Sequence, residues 1–117
     1  MKLSKIVLYE LDKIDQGIED RINCYENLKD RTLKQCNEFN DPNDISPVTI
    51  LLMLTIQQTT CGLIHDILLI TIAPNIKPYS KEIISYVESL MTLNKKLSEK
   101  MILSVKDINE FTSEWYK

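Results

Sequence analysis

Glycine, alanine and cysteine are scarce in this 117-residue chain, which has two glycines, one alanine (Ala73) and three cysteines. Two glycines cannot supply a phosphate-cradling loop, and they weigh against a turn-rich all-β fold. The cysteines, at 24, 36 and 61, are odd in number and form no C-x-x-C pair. Neither a disulfide framework nor a zinc ribbon is indicated, and a reduced, cytoplasmic setting is the expectation. Positive charge is also short: 14 Lys and Arg stand against 17 Asp and Glu, for a net charge of −3. Phosphate binding needs a net-basic stripe, so nucleic acid is not an expected partner. Lys2 and Lys5 precede only a short apolar run that Glu10 and Asp12 soon end, so no signal peptide is expected.

What the chain has is isoleucine and leucine, in a length that fits one domain over residues 1–117. From Leu3, apolar residues recur at Val7, Leu11, Ile14, Ile18, Ile22, Tyr25 and Leu28, with Lys13, Glu19, Asp20 and Lys29 on the other side. That spacing predicts one long helix over 3–38, with Gly17 tolerated inside it at a cost of about 1 kcal/mol. Turn chemistry with a proline follows at 40–44. Ser46 and Pro47 are a cap and a first helical residue, opening a second helix expected to run to Ala73, before Pro74.

This middle helix is apolar nearly all round. Its polar exceptions, Thr55, Gln58, Thr59, Gly62, His65 and Asp66, make one narrow stripe, and their periodicity favours a helix over two buried strands. After a break at 74–78, Ile83, Val87, Leu90, Asn94, Leu97 and Met101 follow a four-three-four-three-four spacing, which predicts a third helix. Ser104 and Asp107 resemble a capping box for a short C-terminal helix carrying Ile108, Phe111 and Trp115, with continuation of the third helix as the alternative. The predicted fold is all-α: three main helices and a short C-terminal one, bundled around the central apolar helix at 47–73.

Residues 45–65 carry no formal charge, which is long enough to span a bilayer. Eight of those positions are Ser, Thr, Gln or His and no basic flank sets a topology, so a core helix is the expectation and membrane association the alternative.

No catalytic constellation is legible. His65 is the only histidine, which excludes paired-histidine metal sites. Adjacent helix residues point about 100° apart, so Asp66 is poorly placed to orient it. Cys61 and His65 share a helix face, but Cys24 and Cys36 lie about 18 Å apart along a continuous helix and cannot both join them. No metal and no cofactor are expected. The run 11–18, Leu-Asp-Lys-Ile-Asp-Gln-Gly-Ile, resembles the opening helix of the helical chorismate mutases over eight residues. The substrate-binding arginines flanking that family's run are replaced here by Leu8 and Tyr25, so the resemblance implies an amphipathic helix without that chemistry.

Two polar residues lie on apolar faces. Asn94 sits in the third helix's seam, where one amide can fix register, and Gln58 lies near Gly62, where a small residue admits a close helix. Gln58, Gly62, His65, Asp66 and Asn94 are therefore the candidate ligand or interface residues. The expected function is a non-enzymatic protein-interaction module, adaptor or inhibitor, that forms a homodimer and binds a protein partner. A helical ligand-binding bundle or enzyme with a pocket lined by the polar stripe is the alternative.

Overall fold

A computed structural model of the chain describes the backbone of residues 2–39 and 47–115 and the side chains of residues 2–35 and 48–101. The elements are α1 (Lys5–Ile14), α2 (Ile18–Phe39), α3 (Pro47–Ile70), a 3₁₀ turn (Pro74–Tyr79) and α4 (Ser80–Trp115), with no strand among the described residues. The expected all-α bundle is what the chain forms. The turn predicted at 40–44, the Ser46 cap and the side chains of Cys36, Ser104, Asp107, Ile108, Phe111 and Trp115 lie outside the described residues.

The single helix expected over 3–38 is two helices, α1 and α2. Gly17 adopts φ +90°, a left-handed conformation that no helix interior contains. The Asp12 carboxylate accepts the Gly17 N–H at 2.9 Å and the Glu19 N–H at 3.4 Å, so it serves amides at the start of α2 that lack helical partners. The apolar stripe continues through the break because both helices pack the same face onto one core. Ile14, expected in that stripe, is instead exposed beside the turn. At the other end of the chain, α4 is continuous for 36 residues, so the segment read as a short C-terminal helix prolongs the third.

Ser4 caps α1, its Oγ accepting the Val7 N–H at 3.5 Å. Glu82, in the first turn of α4, accepts from both the backbone N–H and the hydroxyl of Ser4, tying the two helix starts together. The main core lies at this end. Val7 and Leu11 of α1, Ile18, Ile22 and Tyr25 of α2, Leu63 and Ile67 of α3, Ile76 of the 3₁₀ turn and Ile83 and Tyr86 of α4 are all buried there. Farther along the rod a smaller cluster joins Met53 and Ile56 of α3 to Leu97 and Met101 of α4. The molecule is elongated, 62 × 24 × 20 Å, as a 36-residue helix of about 54 Å requires.

α3 lies between α2 and α4, the central position expected of it, and among the described residues these two helices make its main contacts. Its buried side chains are Thr49, Met53, Ile56, Thr60, Leu63, Ile67 and Ile70, spaced by fours and threes along one face. The remaining circumference is not wrapped: most other side chains of Val48–Ile70 are exposed or half-buried.

The turn reverses the sign of a common substitution. In a continuous helix Gly17→Ala would stabilise by about 1 kcal/mol; at φ +90° it should destabilise by about 1–2 kcal/mol, read as a lower urea midpoint.

Candidate functional site

The polar stripe of α3 faces outward. Gln58, Gly62 and His65 are exposed, and Thr59 and Asp66 half-buried, on the side opposite the core. Around them stand exposed aliphatic side chains: Val48 (65%), Leu51 (64%), Leu54, Leu68, Leu69 (59%) and Ile72 (86%). The threonines add little polarity, because Thr55 Oγ donates to the Leu51 carbonyl and Thr59 Oγ to the Thr55 carbonyl, each at 2.9 Å. Their methyl groups and the neighbouring aliphatics make the open face of α3 predominantly apolar.

Two open grooves border this face. One, of about 350 Å³, runs between α2 and α3 and is lined by Arg21, Cys24, Leu28, Thr59, Gly62 and Asp66. Arg21 Nε lies 3.8 Å from Asp66 and its guanidinium also pairs with Asp15, so the cation ties the α1–α2 turn to α3. The other, of about 560 Å³, lies between α3 and α4 and includes Gln58, Cys61, Asn94 and Lys95. There Gln57 Nε2 donates to the Asn94 carbonyl at 2.8 Å and to Ser98 Oγ at 2.6 Å, while Asn94 Nδ2 donates to Cys61 Sγ at 3.4 Å. Asn94 thus sits at the α3–α4 contact, where its amide and backbone link the two helices. Its Oδ1 is buried without a partner.

The five candidates are therefore dispersed: Gly62 and Asp66 edge one groove, Gln58 and Asn94 the other, and His65 stands on the open face between them. His65 Nδ1 is 3.6 Å from Asp66 Oδ1, too long for a hydrogen bond, and the ring is 72% exposed. A histidine so placed has no orienting partner for general-base work. Among the described residues no group of three or more His, Cys, Asp or Glu side chains could hold a metal ion.

A buried polar network was not legible as such. Glu26, 6% exposed, accepts from the Tyr86 hydroxyl at 2.7 Å and from Lys29 Nζ at 2.6 Å. Lys29, read from sequence as a solvent-facing residue, is drawn in over the Tyr25 ring. Tyr25 and Thr60 share a hydrogen bond of 2.6 Å between α2 and α3. The available signal was Glu26 itself, a carboxylate four residues after Ile22 on the stripe of α2. A cavity of about 360 Å³ lies beside it, lined by Leu3, Leu8, Asn23 and Tyr86 among others.

Compared with protein-family models, curated proteins and solved structures, the chain matches none.

The network gives stability an alkaline limit. Burial, then the hydrogen bond to Glu26 and its charge, hold the Tyr86 phenol far above its usual pKa of 10.0. Burial likewise raises Tyr25, against the opposing effect of its hydrogen bond with Thr60. Unfolded tyrosines ionise near pH 10 while these stay protonated, so above that pH the unfolded state binds fewer protons. Stability, full below about pH 10, should fall as pH rises beyond it, as urea midpoints will show. Tyr86→Phe should flatten that fall while lowering neutral-pH stability by about 1–3 kcal/mol.

Proposed function

We propose that the protein is a non-enzymatic α-helical interaction module whose binding surface is the open face of α3, and that it self-associates through that surface. One observation carries the reading: α3 is apolar around its circumference, yet only the face toward α2 and α4 is buried. Exposed aliphatic side chains at the two ends of that face, Val48, Leu51 and Leu54 at one and Leu68, Leu69 and Ile72 at the other, leave apolar surface in water at the size that marks interaction sites. The flanking grooves are shallow and open, which supports contact with another protein surface over enclosure of a small molecule.

A second reading, membrane association, is favoured by the length and apolarity of Val48–Ile70, sufficient to cross a bilayer. A spanning arrangement would place Gln57 and Gln58 near the bilayer midplane, where polar side chains are costly. It would also pull α3 away from the Tyr25–Thr60 and Gln57–Asn94 links.

Size-exclusion chromatography with light scattering separates the readings. The protein should elute without detergent at twice the chain mass at micromolar concentration, and the pair Leu51→Glu with Leu69→Glu should give a monomer of unchanged helicity. A wild-type monomer that sediments with phospholipid vesicles would favour the membrane reading.

A further inference from the structure

The exposed side of α3 carries a second periodic seam opposite the buried one. Leu51, Thr55, Gln58, Gly62, His65 and Leu69 follow steps of four, three, four, three and four, and all six are exposed, with Val48 exposed one turn before them and Ile72 exposed in the turn after α3. Alternation of three and four is the spacing by which one helix packs along another. This run also reads the same in both directions, its centre falling at residue 60. A second α3 laid antiparallel on it brings Leu51 opposite the partner's Leu69. At the middle, Thr55 meets the partner's His65 and Gln58 meets the partner's Gly62.

We propose that the occupant of this face is a second copy of the same chain, with the two α3 helices packed antiparallel about a twofold axis at residue 60. The proposal rests on the reading of α3 as the binding surface and specifies its partner and orientation. A palindromic seam is self-complementary, as a twofold interface requires. Its ends pair aliphatic with aliphatic, and its centre pairs polar or small residues with each other. Charge permits the approach: no Asp, Glu, Lys or Arg lies on α3 before Asp66, and Asp66 is held by Arg21 of its own chain. The aliphatic side chains of this face expose on the order of 500 Å² per copy, which with the flanking polar groups approaches the ~800 Å² per partner of a standard interface.

Gly62 adds an independent point. A Cβ built there meets nothing within 4 Å, so packing within the chain does not call for a glycine in mid-helix, where it weakens the helix. At the crossing of two α3 helices its missing side chain leaves room for the partner's Gln58.

Disulfide trapping in a background with Cys24, Cys36 and Cys61 replaced by Ser tests the arrangement. Leu51→Cys mixed with Leu69→Cys should give a covalent heterodimer under mild oxidation. Neither variant alone should cross-link, because the antiparallel register holds identical positions about 27 Å apart. Gly62→Leu should weaken dimerisation at least tenfold while leaving the monomer's urea midpoint equal or higher. A dimer in which Leu51→Cys links to itself would overturn the antiparallel register and leave self-association standing. A wild-type monomer would overturn both, and a dimer untouched by Leu51→Glu with Leu69→Glu would overturn the α3 face as its interface.

Discussion

A helix with apolar side chains on nearly every face needs neighbours on every side, and among the described residues α3 has two main ones. α2 and α4 reach it over the face carrying Met53, Ile56, Thr60, Leu63 and Ile67, and α1 makes its main contacts with α2 and the 3₁₀ turn. With α4 running unbroken for 36 residues along one side, nothing among the described residues returns to cover the rest. The grooves, the outward polar stripe and the unpaired seam all follow from this shortage of neighbours.

Polar contacts fix how the helices meet. Apolar surfaces attract without direction, so three packed helices could slide past one another at small cost. Tyr25 with Thr60 pins α2 to α3, Tyr86 with Glu26 pins α4 to α2, and Gln57 with Asn94 and Ser98 pins α3 to α4. Each pair of helices thus has a hydrogen bond that a shifted register would break. Burying the Glu26 carboxylate is costly, and the Tyr86 hydroxyl and Lys29 ammonium offset that cost by occupying one oxygen each.

Much of the fold was legible because prolines and periodicity are local signals. Pro47 opens α3, which ends at Ile70, short of the end expected at Ala73 before Pro74, and the four-three spacing of Ile83, Val87, Leu90, Leu97 and Met101 corresponds to the buried face of α4. The break at Gly17 was not legible. An apolar stripe records which face meets the core, and α1 and α2 present theirs to the same core on either side of the turn. Lys29 was misread for a related reason: spacing alone could not reveal that Glu26 draws its ammonium inward. Of the candidate residues, Asn94 was placed on an apolar face, and the structure puts it at the α3–α4 contact. Gln58, Gly62 and His65 came from one narrow stripe of α3, and the structure turns all three outward, away from the core.

The sequence by itself determined that the chain is helical, where its middle and last long helices begin, and that the middle one is too apolar to stand alone in water. These properties depend on residues within a few turns of one another, where proline geometry and side-chain spacing act directly. Only the tertiary structure decided which half of α3 is covered. That outcome depends on where α2 and α4 lie, and they are placed by contacts between residues 35 to 60 positions apart, such as Tyr25 with Thr60 and Glu26 with Tyr86. The same long-range geometry turned a stripe of polar exceptions into the centre of an open, palindromic apolar face.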